Sequence, residues 1–192
     1  MYTVRVAKAA DAEKIARIYV DTWRVTFRGN GSDANVDTQG VRRREAFWRG
    51  RFGQARGSVF VIESDDIVGL CDFIPSRDKD ADPKTVGEIA ALYVVSDDWH
   101  MGAGKVLCYH ALAQARKQGY KAITLWIMAS NSSAMRFYES LGFVRNGAFK
   151  IATAADGSNL HEIRYRISLT GPIRQQPAEQ QSAPEKPLPH LD

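Results

Sequence analysis

The chain has 192 residues, of which 44% are hydrophobic and 25% are charged, and its formal net charge is +4, which predicts one globular domain with a substantial core. Its densest basic block, residues 41–51, is interrupted by aromatic residues and by Glu45, so it favours a solvated helix face over a nucleic-acid surface. No run of about 18 apolar residues occurs, so we expect neither a membrane-spanning helix nor a membrane partner.

In the first half of the chain, alternating and helically spaced apolar residues predict the elements. They are a strand at 2–7, a helix at 11–27, a turn-rich loop at 28–37, a helix from Thr38 to about Arg49, two hairpin strands at 57–64 and 67–76, and a charged loop at 77–84. Asp11 is the candidate N-cap of the first helix. The glycines of the 28–37 loop suggest mobility, and a lid is one hypothesis for it.

The second half of the chain continues the alternation of strands and helices. It reads as a strand at 87–95, a turn with a helix that runs to Gly119, a strand at 121–128, a short helix at 131–142, and two strands at 143–153 and 159–169. The strand at 121–128 is almost continuously apolar, which predicts that both of its faces are covered. Asn131 is a candidate N-cap and Gly142 a candidate C-terminal stop of the short helix.

The end of the chain differs in composition from the rest. From Gly171 onward it is rich in proline and glutamine and lacks apolar periodicity, which predicts disorder. We therefore expect one domain over residues 1–170 and a disordered tail over residues 171–192. Because helices alternate with strands of a mixed sheet, the predicted fold class is α/β (α+β).

The cysteines and the N-terminus bear on the compartment. Cys71 and Cys108 lie far apart in apolar surroundings, which favours buried reduced thiols over a disulfide. The first residues lack the basic segment and apolar run of a signal peptide, so we expect a cytoplasmic protein. An acyl-cysteine intermediate at Cys108 is disfavoured, because a helix would point His110, two residues on, in another direction. His100 and His161 have no spaced partner, so no metal site is predicted.

Residues 94–119 form a strand, a Gly-Ala-Gly turn at 102–104 and a helix, an order that often binds phosphate. A mononucleotide P-loop is excluded, because Trp99 stands where it needs glycine and Val106 where it needs Ser or Thr. The dinucleotide fingerprint is excluded by Leu107 and by the lack of a later acid. What remains is a glycine turn whose free N–H groups and helix dipole favour an anion by roughly 0.3–1 kcal/mol per charge. Lys105 would add a charge.

A second motif gives this turn a context. The segment 131–143, NSSAMRFYESLGF, resembles the signature helix of the GNAT superfamily of N-acetyltransferases, and the turn resembles that family's acetyl-CoA pyrophosphate loop. The family loop reads Q/R-x-x-G-x-G/A, which Gly102 and Gly104 match, while Trp99 occupies the Gln/Arg position. Both motifs come in the family's order and spacing, and the resemblance spans about residues 2–169.

The resemblance implies the GNAT fold, a central mixed, mostly antiparallel sheet flanked by helices. It also implies an N-acetyltransferase that moves an acetyl group from acetyl-CoA to a primary amine by direct attack, which relies on proximity. The alternative is an acyl-CoA-binding module that regulates or scaffolds without turnover, which Trp99 and the uncertain base motivate. Many relatives dimerise, so a homodimer is left open, and the sequence does not identify the amine.

The resemblance also places the donor on main-chain groups of this chain. The implied contacts are the backbone of Leu92, Val94 and Val95 for the pantetheine arm and thioester carbonyl, Asn131 for the same arm, and His100, Met101, Gly102, Ala103, Gly104 and Lys105 for the pyrophosphate. Trp99 removes a polar contact that Lys105 or His100 partly replaces, and packing of Trp99 under the loop is favoured over stacking on the ligand.

Tyr138 is the candidate general acid, because a phenol with an ordinary pKa of about 10 is protonated near neutrality and the family often uses the matching tyrosine. Its alternative role is core packing. Glu88 is the leading general base, with Asp72 as the next choice, and the alternative for Glu88 is an exposed strand-end carboxylate. Trp23, Phe27 and Arg28 lie where the family forms its acceptor pocket, although Trp23 is equally compatible with the core.

Overall fold

The computed structural model describes residues 1–27, 38–52, 57–153 and 159–171. Its elements are β1 (Thr3–Val6), α1 (Ala12–Phe27), α2 (Thr38–Arg51), β2 (Ser58–Glu63), β3 (Ile67–Pro75), β4 (Val86–Val94), α3 (Ala103–Lys117), β5 (Ala122–Met128), α4 (Ser132–Ser140), β6 (Val144–Thr153) and β7 (Asn159–Ser168). The predicted helices and strands are confirmed, each boundary within about two residues. The predicted loop at 28–37 and the tail after residue 171 lie outside the described residues.

The seven strands of the described residues form a single sheet in the order β1-β2-β3-β4-β5-β7-β6. β4 and β5 run parallel, and the other neighbouring pairs are antiparallel, including the predicted β2–β3 hairpin. The expected mixed, mostly antiparallel sheet is therefore confirmed. Among the described residues, no helix combines the length and apolar content needed to cross a membrane.

Helices cover both faces of the sheet and divide the core into two clusters. On one face, α1 and α2 bury Ile15, Ile18 and Trp48 against Val61 and Leu70. On the other face, α3 and α4 pack on a larger cluster that includes Phe60, Cys71, Phe73, Leu107, Leu112, Ile123, Leu125 and Tyr138. Cys71 and Cys108 are buried and free, as the sequence predicted.

The basic block at 41–51 is only partly the solvated face that its composition suggested. Trp48 is 2% exposed and Arg51 is 7% exposed. Arg51 is buried because it pairs with a carboxylate of the sheet, as described below. The interpretation as a solvated face is wrong for these two residues, and it holds for Arg42, Arg43 and Arg49, which are exposed.

The helix ends follow the predicted signals with one exception. Asn131 Oδ1 accepts from Ala134 N at 3.0 Å, which confirms the N-cap of α4. Gly142, with φ 92°, ends α4 as predicted. The Asp11 side chain does not cap α1 as predicted: Asp11 ends a short 3₁₀ turn directly before α1, and its Oδ2 accepts from Lys8 N, behind it, at 2.7 Å.

The middle of the sheet opens between β4 and β5. Their pairing joins Val86 to Ala122, Gly87 to Ile123 and Glu88 to Thr124, and stops there. On its other side, β4 carries a bulge: Phe73 pairs with Ile89 and Asp72 with Ala91, which leaves Ala90 as an extra residue. Beyond Glu88 the two strands separate, so the backbone of the second half of β4 borders a gap.

Candidate active site

The register of β4 shows which of its backbone groups face the gap. In an antiparallel pair, alternate residues bond to the neighbouring strand and the residues between them point away. Val95 N donates to the Val68 carbonyl at 2.9 Å. The groups of Leu92 and Val94, which stand between the bonded positions, therefore face away from β3 and towards the gap. These are two of the three main-chain positions that the sequence resemblance implied.

Val95 is the third of these positions, and the structure does not bring it to the gap. Its N–H bonds Val68, and its carbonyl accepts from Asp98 N at 3.1 Å. Both of its backbone groups thus have partners inside the protein. We therefore leave Val95 out of the gap-facing set.

The segment after β4, residues 96–105, is here called the amide loop. It starts with a 3₁₀ turn at Ser96–Asp98 and leads into α3 at Ala103. The first helical hydrogen bond is donated by Val106 N to the Gly102 carbonyl at 3.0 Å. The N–H groups of residues 103–105 precede it, so they have no partner within the helix and point out of its N-terminus. This arrangement suits an anion.

The two glycines of the amide loop serve different purposes. Gly102 has φ 90°, and a Cβ placed on it would meet no atom within 4 Å, so it provides a left-handed turn with open space above it. A Cβ on Gly104 would come within 3.3 Å of the Phe137 ring. Gly104 therefore allows α3 to approach α4 closely. The space above Gly102 and the free amides fit a diphosphate group.

The side chains of the amide loop differ in exposure. His100 and Lys105 are exposed, and Met101 is 68% exposed. His100 has φ 63°, an uncommon conformation for a residue with a side chain. Trp99 turns back: its Nε1 donates to the Val94 carbonyl at 2.7 Å, and the residue is 37% exposed. Trp99 therefore packs against the end of β4.

Tyr138 lies in α4 beside the larger core cluster. It is 7% exposed, and its ring makes edge contacts with Phe137 and Phe143. Phe143 N donates to the Tyr138 carbonyl at 3.0 Å, so the turn that ends α4 also fixes the Tyr138 backbone. Burial raises the pKa of the phenol well above its ordinary value, so the hydroxyl keeps its proton near neutrality.

Glu88 stands where β4 and β5 separate. It is 2% exposed, which shows that the alternative of an exposed strand-end carboxylate is wrong. Arg77 holds both of its oxygens: Nη2 lies 2.5 Å from Oε1, and the backbone N lies 3.1 Å from Oε2. The Arg77 side chain is itself 66% exposed. In this structure Arg77 therefore occupies the Glu88 carboxylate.

Asp72, the second candidate base, is tied to α2. Its Oδ1 lies 2.8 Å from Arg51 Nη2, and both side chains are almost fully buried. Burial raises the pKa of Asp72, and the adjacent Arg51 partly opposes that rise. Asp72 pairs with Ala91 beside the bulge, so this carboxylate lies on the α1–α2 face of the sheet.

Aromatic residues line the same face. The Trp23 ring stacks on Tyr19 with centroids 6.2 Å apart, and Tyr19 meets the edge of Tyr93 of β4 at 4.9 Å. Arg44 lies over the Tyr19 ring at 4.1 Å. Trp23 is thus linked to β4 through Tyr19. Phe27 ends α1, and neither its side chain nor Arg28 falls within the described residues.

Sequence reasoning missed Arg77, Tyr19 and Tyr93. Arg77 stands among several charges of one loop, and nothing in the sequence marks it as the partner of Glu88. The sequence did contain a signal for Tyr93. Side chains alternate between the two faces along a strand, so Tyr93 lies on the same face as Ala91, which is the α1–α2 face.

Cys108 has the properties of a core residue. Burial raises the pKa of its thiol to about 12, so the reactive thiolate is disfavoured. His110, two residues on, meets the edge of the Phe60 ring at 4.9 Å.

Comparisons with known proteins agree with this geometry. The model of the Acetyltransferase (GNAT) family matches residues 12–143. YuaI of Bacillus subtilis, named an uncharacterized N-acetyltransferase, is 27% identical over 142 residues, which cover 73% of this chain and 79% of YuaI. An N-acetyltransferase structure from Staphylococcus aureus Mu50 has a TM-score of 0.69 at 20% identity, covering 88% of this chain and 99% of that one. The PaiA N-acetyltransferase of Thermoplasma acidophilum, solved with coenzyme A, has a TM-score of 0.65 at 15% identity, covering 88% and 99%.

Proposed function

This chain belongs to the GNAT family of acetyltransferases, and we propose that it transfers the acetyl group of acetyl-CoA to a primary amine by direct attack on the thioester. One observation carries the proposal. The backbone groups of Leu92 and Val94 face a gap in the sheet, and the free amides of residues 103–105 lie just beyond the end of that strand. An extended donor with a diphosphate at one end matches this arrangement.

The donor would lie along the gap with its diphosphate on the amide loop. The N–H groups of residues 103–105 and the exposed Lys105 would hold the charge, and Gly102 leaves room for it. Leu92 and Val94 N would bind the pantetheine arm and polarise the thioester carbonyl. The Asn131 side chain caps α4 and, in this proposal, also contacts that arm.

The chemistry needs a neutral amine and a proton for the thiolate. The amine nitrogen attacks the thioester carbon, a C–N bond forms, and the C–S bond breaks. Before the attack, Glu88 takes one proton from the acceptor ammonium, directly or through water, once Arg77 shifts away from its carboxylate, and this leaves the neutral amine. The second proton, which the nitrogen loses as the amide forms, passes to solvent. Tyr138 donates the proton that the departing sulfur needs, since burial keeps this phenol protonated.

We propose the α1–α2 face as the acceptor side. The Trp23–Tyr19–Tyr93 aromatic cluster and the Asp72–Arg51 pair lie on it. Glu88 lies on it too, because the next residue of β4, Ile89, packs in the core cluster on the opposite face. Tyr138 approaches from α4 on that opposite face. Donor and acceptor would therefore meet across the gap, which is the geometry that direct attack requires. We keep residues 1–170 as the proposed catalytic domain.

The test is thiol release from acetyl-CoA with a panel of amines, with mass spectrometry to detect one added acetyl group. Tyr138→Phe is expected to lower the rate by about 10²–10⁴-fold with little change in coenzyme A affinity. Tyr109→Phe is the matched control, because the buried Tyr109 hydroxyl has no hydrogen-bond partner among the described residues. If coenzyme A binds and no amine stimulates thiol release, the transferase proposal fails and the binding-module alternative remains.

A further inference from the structure

We propose that Trp99 is a positioning residue: its indole N–H ties the amide loop to the Val94 carbonyl and thereby holds the loop amides ready for the diphosphate. This inference rests on the proposed function. It also gives a role to the residue that stands where the family pattern has Gln or Arg.

The Val94 carbonyl is a suitable anchor. It faces away from β3, and its level of β4 lies beyond the last β4–β5 pair, so the sheet does not use it. Trp99 Nε1 donates to it at 2.7 Å, and Thr22 Oγ1 approaches at 3.4 Å. The shorter bond, from Trp99, spans five residues and closes the start of the amide loop onto the end of its own strand.

The rest of the amide loop has few ties near the same point. Tyr2 OH bonds Asp98 Oδ1 at 2.6 Å, and Trp99 N bonds the Ser96 carbonyl at 3.1 Å. After Trp99, the next bond is a long one, from Met101 N to the Asp98 carbonyl at 3.4 Å. Among the contacts of the described residues, Trp99 is therefore the last firm anchor before residues 100–102.

Those residues need an anchor because the left-handed conformation of His100, unlike that of a glycine, is costly. His100 has φ 63° and Gly102 has φ 90°, so two left-handed residues lie directly before α3. Without a fixed point at residue 99, His100 would relax towards a more favourable conformation, and the direction of the following amides would change. Fixing the loop in its binding shape before the donor arrives lowers the ordering cost of binding.

The Trp99 bond also changes what β4 can offer to a ligand. The Val94 carbonyl is already taken, so an extended donor would use Val94 N and the two backbone groups of Leu92. The indole thus supports the diphosphate end of the site indirectly, through the backbone. An Arg or Gln side chain at this position could instead contact the ligand directly.

Trp99→Phe tests the inference, because it keeps an aromatic ring and removes the N–H. We expect the KM for acetyl-CoA and the Kd for coenzyme A to rise about three- to tenfold, the value of one hydrogen bond. The kcat at saturating donor should stay unchanged. With acetyl-pantetheine, which keeps the thioester arm and lacks the diphosphate, the variant and the wild-type protein should have the same kcat/KM.

Trp48→Phe is the matched control. Trp48 Nε1 has no hydrogen-bond partner among the described residues, so the same chemical change there removes no bond and should leave the Kd for coenzyme A unchanged. The inference is overturned if Trp99→Phe binds coenzyme A as the wild-type protein does. It is also overturned if Trp99→Phe lowers kcat/KM by the same factor with acetyl-CoA and with acetyl-pantetheine. A wild-type protein that fails to bind coenzyme A would instead refute the proposed function.

Discussion

The pair formed by Arg51 and Asp72 places two opposite charges in the interior beside the bulge of β4. Their side chains are 8% and 6% exposed, and Arg51 Nη2 also donates to the Phe73 carbonyl at 3.2 Å. Each charge is tolerated because the other is present. Removal of one partner would leave the second charge without compensation in a poorly solvated place.

Arg51→Met is therefore expected to lower the free energy of unfolding by about 3–5 kcal/mol at pH 7.5. Burial already raises the pKa of Asp72 above its unfolded value, and the loss of Arg51 raises it further. For a carboxyl with a raised folded-state pKa, stability is greatest below the unfolded pKa and falls as the pH rises through the folded pKa. The deficit of the variant should therefore shrink as the pH is lowered from 7.5 towards 5.

Urea denaturation at several pH values measures this effect. Arg49→Met is the control, because Arg49 is in the same helix and pairs with Glu45 on the surface, where such a pair contributes at most about 0.5 kcal/mol. An equal deficit in both variants, or a deficit for Arg51→Met that does not change with pH, would contradict the account of a buried compensated charge.

Sequence reasoning found the important carboxylates and missed their partners. Asp72 and Glu88 were candidates because they stand on strands near the expected site, but Arg51 and Arg77 lie 21 and 11 residues away from them. The register and the packing of α2 decide which arginine reaches which carboxylate. Local periodicity encodes neither of them. The sequence therefore does not distinguish among the five arginines of residues 41–51, of which Arg51 is buried.

At the scale of elements, α3 has a left-handed glycine at each end. Gly102 has φ 90°, Gly119 has φ 87°, and a Cβ on either would meet no atom within 4 Å. An alanine at either position would therefore meet no steric clash. Its only cost would be the left-handed backbone conformation, about 1–2 kcal/mol. Only Gly102 precedes the amides that the proposed diphosphate would contact.

We therefore expect Gly102→Ala and Gly119→Ala to lower the melting temperature by similar amounts. Only Gly102→Ala should weaken coenzyme A binding, because a shift at residue 102 redirects the amides of residues 103–105. Thermal unfolding and calorimetry on the two variants measure the two effects separately. Equal weakening of binding by both substitutions would show that general destabilisation of α3 is the cause and that the amide loop has no special part.

The strand β4 could be predicted from the sequence, but its bulge could not. Residues 87–95 were correctly predicted to form a strand, yet Ala90 could not be recognised as an extra residue, because its apolar neighbours suit either face. The bulge shifts the alternation by one. Before it, Gly87 and Ile89 turn their backbone towards β5, and after it Leu92 and Val94 do. Residue type alone did not reveal this switch, and Leu92 and Val94 were identified through the family resemblance.

At the scale of the whole molecule, the gap leaves the two parts of the sheet joined by three β4–β5 pairs. A second connection runs from β7 to the loop between β3 and β4. Arg164 Nη1 lies 3.1 Å from Asp78 and Nη2 lies 2.6 Å from Asp80. Trp126 Nε1 of β5 also donates to Asp78, at 3.0 Å, and the Arg164 guanidinium lies over the Trp126 ring. This cluster therefore links the loop before β4 to β5 and β7 at a level beyond the last β4–β5 pair.

Arg164→Met is expected to lower the free energy of unfolding by about 3 kcal/mol, since the largely buried Asp78 would lose its cation. The loop between β3 and β4, residues 76–85, would lose its anchor to β7, so its amides should exchange hydrogen faster in the native state. Coenzyme A affinity should change little well below the melting temperature, because the amide loop is tied to Val94 of β4 and to Tyr2, just before β1, and no hydrogen bond among the described residues ties it to β7.

Hydrogen exchange followed by mass spectrometry distinguishes this local loosening from a uniform loss of stability. Arg166→Met is the control, because Arg166 lies two residues further along β7 on the same face and is exposed. If residues 76–85 exchange at the wild-type rate in Arg164→Met, the cluster is a local contact and does not join the two parts of the sheet. Faster exchange confined to those residues would mean that the loop is anchored by a bond between residues 84 positions apart, a distance over which no sequence pattern predicted a contact.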